Sequence, residues 1–334
     1  MSAFPHSFTT RRALLTAIVS AAVAVGPASA QTATDFPNKP IRIITPFSAG
    51  AGPDSLLRVL AEKMSKTLGQ SVLIENKPGA SGFIALEAAK KSPADGYTFV
   101  QVDDAHQALL PHLYKKIPYD INKDFDPVGT LYRTYFFVVT GSNSPLKSIN
   151  EVIAAAKAKP GVLTYGSWGI GSPGHVGGAM LEGITGTQMS HVPFKETPTL
   201  FQSVSTGDVA WAFGTAGSAG PFYRGGKLKF LAVAAPKRVA GYTDVPTVAE
   251  AGGPTNFEVS AWVAVHAPKG TPPAAIAKVS EAMSKALAEP DMKERLTTFG
   301  FEPYVNTPAE ITRLIAADSV RYGEIVKRAK ISLD

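Results

Sequence analysis

The chain reads as an α/β protein of two lobes joined by two crossover strands, with a ligand cleft between them. Three observations predict this. Apolar runs of strand length alternate with amphipathic runs of helix length, separated by short turns, as expected for a largely parallel sheet covered by helices. The alternation restarts midway through the chain. Two apolar segments, 131–140 and 257–267, are long for single strands and lie where the two sets meet. Read as crossovers, they place residues 31–134 with 262–334 in one lobe and 135–261 in the other.

The first set opens with a strand over 40–46 and a Gly/Ala-rich loop over 47–53. Asp54 and Ser55 precede the amphipathic run Leu56, Leu57, Val59, Leu60, Met64 and Leu68, so either is a candidate cap. Gly69 is the expected stop. A strand over 71–75, the turn Asn76-Lys77-Pro78-Gly79, a helix over 84–91 and a strand over 97–102 follow. The second set has strands at 136–139, 163–166, 189–192, 209–213 and 228–234, with helices at 148–158 and 176–183. Ser148 is placed to cap the first of these helices, and Lys159-Pro160-Gly161 to end it. Two long helical runs, 273–288 and 308–329, close the chain.

Residues 1–30 have the grammar of an export leader. Arg11 and Arg12 form a positive head, an uncharged Ala/Val/Leu run spans 13–25, and Ala28-Ser29-Ala30 is a small-x-small cleavage site before Gln31. The run is short for a membrane anchor. Export through the general secretory or the twin-arginine route is expected, with a mature protein in the periplasm. About 300 residues then remain, enough for two domains. The 45% hydrophobic content supports real cores, and the absence of Cys removes thiol nucleophiles and disulfides. The formal charge of +6 comes from scattered Lys and Arg rather than a basic stripe, so no nucleic-acid partner is expected.

The most loaded segment is 166–175. Gly169, Gly171 and Gly174 form a formal GxGxxG. Pro173 interrupts it, and an exported protein meets no dinucleotide pool, so no cofactor is expected. The underlying physics survives: small residues let backbone N–H groups converge on an anion ahead of a helix. The residues in view are Ser167, Trp168, Gly169, Gly171, Ser172 and His175. The loop 47–54 has the same form in the first lobe, with Phe47, Ser48, Ala49, Gly50, Ala51 and Asp54. Either loop alone is equally a plain turn between strand and helix; two of them, one per lobe, can share one carboxylate across a cleft. Phe47 and Trp168 suit a cleft wall or a core.

Signals for catalysis are absent: there is no G-x-S-x-G and no H-E-x-x-H, and the histidines are dispersed. No catalytic or metal-binding residue is assigned. His175 is expected to structure its loop and His191 to sit in a strand. Asp103 and Asp104 are neighbours in a strand, which points them to opposite sides and disfavours an acid/base dyad.

An ordered set of motifs now stands out. It includes Ile43-Ile44-Thr45-Pro46-Phe47-Ser48-Ala49-Gly50, Glu75-Asn76-Lys77-Pro78-Gly79-Ala80-Ser81-Gly82, Asp95-Gly96-Tyr97-Thr98 and Leu113-Tyr114-Lys115-Lys116-Ile117-Pro118-Tyr119-Asp120. Tyr165-Gly166-Ser167, His191-Val192-Pro193-Phe194-Lys195, Val245-Pro246-Thr247-Val248-Ala249-Glu250-Ala251-Gly252 and Ala267-Pro268-Lys269-Gly270-Thr271-Pro272 complete it. Over essentially the whole mature chain this resembles the Bug family, periplasmic solute-binding components of tripartite tricarboxylate transporters. The resemblance implies a type II periplasmic-binding fold, a small carboxylate-bearing solute held by the backbone of the two loops, and delivery to inner-membrane permease subunits. A monomer without cofactor is expected. The alternatives are an exported hydrolase or a ligand-sensing receptor on the same fold.

Three departures from the family pattern bear on specificity. Ala51 replaces the second Gly of a pair, Glu196 replaces a Gly, and Asp103-Asp104 replaces a small, hydroxylated stretch. If Asp103, Asp104 and Glu196 line the cleft, they repel a second carboxylate. They then favour a monocarboxylate with a distal donor group over citrate-like solutes. If they face solvent or meet Lys195, that preference disappears.

Overall fold

The computed structural model describes residues 36–329 and 331–333. The leader and its cleavage site lie outside the described residues. Pro37–Asp334 form one compact unit.

The chain begins with β1 (Ile41–Thr45), α1 (Gly52–Leu68) and β2 (Val72–Asn76). After a 3-10 turn (Ala80–Gly82) come α2 (Phe83–Lys90), β3 (Thr98–Asp103), a π-helical stretch (Ala105–Leu109), α3 (Leu110–Leu113), α4 (Ile121–Asp124) and β4 (Phe125–Tyr135). The second set is β5 (Phe137–Gly141), α5 (Ile149–Ala158), β6 (Thr164–Ser167), α6 (Pro173–Thr185), β7 (Ser190–Pro193), α7 (Thr197–Thr206), β8 (Trp211–Gly214), α8 (Ala216–Arg224) and β9 (Leu228–Val233). The chain then returns through β10 (Ser260–Pro268) to α9 (Pro273–Ala288), α10 (Pro290–Phe299), β11 (Phe301–Pro303) and α11 (Pro308–Ala329).

Two sheets result. The first has the order β11-β4-β10-β3-β1-β2 and the second β7-β6-β8-β5-β9. Both are mixed, where the sequence predicts largely parallel ones. β1 runs parallel to β2 and β3, and β6 parallel to β7 and β8. The pairs built on β10, β4 and β5 are antiparallel, because these strands carry the chain out of one sheet and back.

The segment read as one crossover over 131–140 is two strands, broken at Phe136. The break is tied to the return path. Phe136 N–H donates to the Val259 carbonyl (3.0 Å), Ala234 N–H to the Phe136 carbonyl (2.8 Å) and Val259 N–H to the Ala234 carbonyl (3.0 Å). The two crossings therefore lie side by side.

Helix starts differ from expectation for local reasons. α1 is entered at Ala51, with Pro53 in its first turn; neither Asp54 nor Ser55 caps it. α6 begins at Pro173, earlier than its apolar periodicity suggests, because the Ser172 side chain accepts from His175 N–H and supplies the cap. The helices α7, α8 and α10 are missing from the sequence reading; α7 is rich in Thr and Ser, and α8 contains Pro221.

The second sheet is covered on both faces. Phe137, Phe201 and Val204 pack one face, and Tyr165, Trp211, Phe213 and Phe257 the other. Full burial of each such ring contributes about 1.5–3 kcal/mol. Trp262 of β10 donates its indole N–H to Asp318 of α11 (2.7 Å), fixing the last helix to the first sheet. A smaller cluster bridges the two halves: Ala108, Leu109, Leu113, Tyr322 and Val326 pack against Val176 of α6.

Gly141, at the end of β5, has no room for a side chain, since a Cβ there would lie 2.7 Å from the Val204 carbonyl oxygen and 3.2 Å from that of Ser205. Gly141→Ala must push α7 off the sheet. Chemical denaturation is expected to show a loss of about 1–3 kcal/mol.

Candidate ligand-binding site

The first loop leaves β1 at Thr45 and is pinned by the neighbouring strand. Thr45 Oγ1 donates to Gln101 Oε1 (2.7 Å), and Gln101 Nε2 donates to the Pro53 carbonyl (3.2 Å). Beneath the loop lies Asp54, fully buried. Its carboxylate accepts from Gly50 N–H (2.8 Å), Arg58 Nε (3.0 Å) and Asn76 Nδ2 (2.7 Å). Burial pushes this carboxyl up, but the hydrogen bonds from Arg58, Asn76 and Gly50 outweigh it and hold the group below its ordinary range. Asn76 Nδ2 also reaches the Phe47 carbonyl (2.9 Å).

Asp54, read from sequence as a solute contact, is thus taken up by the chain's own donors. What the loop leaves open is main chain and the Ser48 hydroxyl. Ser48, Ala49 and Gly50 are exposed. The N–H groups of Ser48 and Ala49 make no hydrogen bond within the described chain. They lie just before the N-terminus of α1, where the helix dipole favours negative charge.

The second loop follows β6. Ser167 is buried, and its Oγ donates to the Gly169 carbonyl (2.9 Å), accepts from Gly169 N–H (3.2 Å) and bonds His191 Nε2 (2.7 Å). Gly171 N–H donates to His175 Nδ1 (3.0 Å), which places that ring's proton on Nε2. Ser172 Oγ donates to the Gly169 carbonyl (2.7 Å). Trp168 stacks on Phe136 at the crossing (5.6 Å, 18°) and covers Gly174. Burial pushes the His175 imidazole down to about 4, helped by His191 beside it, and burial lowers His191 as well. Both rings are neutral at pH 7. His175 therefore structures its loop and His191 occupies a strand, as expected.

Ser167 and His191 form a hydroxyl–imidazole contact that sequence spacing did not reveal. With the hydroxyl proton directed to Gly169, His191 Nε2 acts as the donor rather than the base. Ser167 is sealed from solvent, and among the described residues no carboxylate orients His191. The contact holds the loop; it lacks the exposed nucleophile and oriented base that hydrolysis requires.

β3 ends at Asp103 and Asp104 already has helical backbone, so the two are not strand neighbours as expected; they nevertheless reach different partners, and neither faces open solvent or meets Lys195. Asp103 accepts from His106 N–H (3.1 Å) and contacts His106 Nδ1 (2.5 Å). Burial raises its carboxyl, but His106 outweighs this and keeps it below the usual range. Asp104 is wholly buried under α11; its Oδ2 accepts from the Tyr322 hydroxyl (2.6 Å) and its Oδ1 has no partner. Burial, and then the charge of Asp103, push its carboxyl well above the usual 3.8. Asp104 is therefore removed from the groups that can meet a solute. Glu196 is an exposed residue at the start of α7 and caps nothing.

No hydrogen bond or ring contact joins the two loops directly among the described residues. The segment after β3 touches both. His106 stands edge-on to Phe47 (6.1 Å, 87°), and Leu113 fills the space beside Gly171, where a Cβ would come within 2.4 Å.

Residues 56–331 match the tripartite tricarboxylate transporter family receptor model. The Cupriavidus necator "UPF0065 protein in gbd 5'region" is 36% identical over 94% of this chain and 94% of its own. This chain belongs to the tripartite tricarboxylate transporter receptor family. Its fold is shared with solved receptors. "R. palustris Rpa4515 with adipate" superposes with a TM-score of 0.82 at 30% identity, covering 89% of this chain and 99% of that one. Periplasmic binding protein BugD superposes at 0.77 and 28% identity, covering 89% and 99%. The expected family and fold are thus found, and the protein is a receptor of periplasmic-binding type.

The buried acid of this receptor carries a pH signature. Because its folded carboxyl holds its proton more tightly than the unfolded chain does, stability is fully present below about pH 4 and falls as pH rises. Asp104→Asn removes that proton equilibrium. Denaturation midpoints are expected to show the variant gaining on wild type from pH 4 to pH 8.

Proposed function

We propose that this receptor closes its two lobes on a small carboxylate-bearing solute in the periplasm and delivers it to inner-membrane permease subunits. The observation that carries the reading is the pair of exposed, unbonded N–H groups at Ser48 and Ala49, set before α1 in a loop whose one acid, Asp54, is already engaged. The second loop, Trp168 to Ser172, supplies the opposing surface. Closure turns on Phe136, Ala234 and Val259, where the crossings touch, and the solute contacts both lobes only in the closed state.

The solute class is wider than the departures from the family pattern predict. Asp103 is hydrogen-bonded to His106 and Asp104 is sealed under Tyr322, so neither acid is presented free to a solute at the loops. A dicarboxylate such as adipate, named with the related Rpa4515, fits this reading. The protein acts without catalysis and without cofactor, as a monomer.

Calorimetry with adipate tests the site. Ala51→Asp keeps a backbone that Asp adopts readily at a helix start, yet places a negative charge beside Ser48 and Ala49. Affinity is expected to fall at least about tenfold, each factor of ten being about 1.4 kcal/mol, with the apo melting temperature maintained. Unchanged affinity would remove the first loop from the site. Gly171→Asp is unsuitable for this purpose, because Leu113 leaves it no room and its φ is +77°.

We also propose that the leader is removed. Mass spectrometry of periplasmic protein is expected to give an N-terminus at Gln31 or within a few residues.

A further inference from the structure

A cavity of about 630 Å³ opens between α6, the edge strand β7 and α11. Its volume is that of a typical small-molecule pocket. None of the first loop lines it.

One wall holds three clustered rings. His175 and His191 lie face to face, 4.0 Å and 14° apart, and buried Tyr165 packs beside both, 5.0 Å from His191 and 6.5 Å from His175. The imidazole pair is uncharged at neutral pH, since burial holds both rings down. His175 Nδ1 and His191 Nε2 are occupied by Gly171 and Ser167, and among the described residues no group of three His, Asp or Glu is placed to hold a metal ion. Met180, Met189 and Ile325 add apolar and polarisable surface.

The charged groups on the lining are Glu182, Arg321, Glu324 and Arg328. Glu182 accepts from Met189 N–H (2.6 Å), and Arg321 is bound to Asp318 (2.9 Å) and lies over the Tyr322 ring. Arg328 is in no ion pair among the described residues.

We propose that this cavity is a second solute site, taking a small flat aromatic monocarboxylate whose ring packs against the His175–His191 pair and whose carboxylate meets Arg328. A flat ring gains by stacking where a bulky aliphatic body does not. Glu182 and Glu324 oppose a second negative charge. The walls come from both halves of the fold, with α6 and β7 on one side and α11 on the other. These two imidazoles also hold Ser167 and Gly171, so an occupant braces the second loop from behind.

Calorimetry on the full receptor with phenylacetate tests this. Wild type is expected to bind it, Ile325→Trp to abolish binding by filling the cavity, and Arg328→Gln to weaken it at least fivefold. Ala51→Asp, which disables the first loop, is expected to leave phenylacetate affinity within twofold. Cyclohexylacetate is expected to bind at least fivefold more weakly. Arg328 is exposed, so its variant remains informative if Ile325→Trp folds poorly. The proposal is overturned if wild type does not bind phenylacetate, if Arg328→Gln binds it as wild type does, or if cyclohexylacetate binds equally. Loss of binding in Ala51→Asp with retention in Ile325→Trp would also overturn it, by assigning the aromatic acid to the loops.

Discussion

Three backbone hydrogen bonds among Phe136, Ala234 and Val259 hold the two passages of the chain against one another, and the rest of the architecture depends on them. They place the end of β4 beside the start of β10, which makes the two sheets neighbours rather than separate beads. They set Trp168 on Phe136, so the second loop takes its bearing from the crossing. The apolar cluster of Leu109, Leu113, Val176 and Tyr322 is a second contact between the halves, away from that crossing.

Within this frame, the polar side chains near the loops serve the loops themselves. Asp54, Asn76 and Gln101 hold the first; Ser167, Ser172, His175 and His191 hold the second. The cost of burying such groups is offset because each is hydrogen-bonded. Gln107, buried with neither amide atom bonded, is one exception, and Asp104 is another. One of its oxygens is unsatisfied, and the site tolerates it by favouring the neutral carboxyl. That is a local loss of stability at a point where α11 meets the end of β3, and it separates the behaviour of Asp104 from that of its neighbour Asp103.

Much of the fold is legible in the sequence because it is local. The helices at 273–288 and 308–329 appear with the predicted ends, and Ser148 caps α5 as read. Both Gly-rich loops sit between a strand and a helix, as their composition requires. What is not legible is whatever depends on distant partners. Thr45 and Gln101 are 56 residues apart, and Asp104 and Tyr322 are 218 apart. Sequence pattern places Asp103 and Asp104 on opposite sides of a strand, whereas the strand ends at Asp103, and it does not say that Asp103 meets His106 and Asp104 a buried tyrosine. Gln101 was discoverable, being a lone amide in the apolar run Phe99-Val100-Gln101-Val102. The broken crossing at Phe136 was not, because both sides of the break are equally apolar.

The open N–H groups of Ser48 and Ala49 have a consequence for sequence drift. A main-chain donor belongs to every residue type except proline, so an anion held this way survives most substitutions at the positions that hold it. Selection then acts on such a loop only through shape and charge, and its side chains wander freely within those limits. A receptor that uses this device keeps its donors while the letters at those positions change.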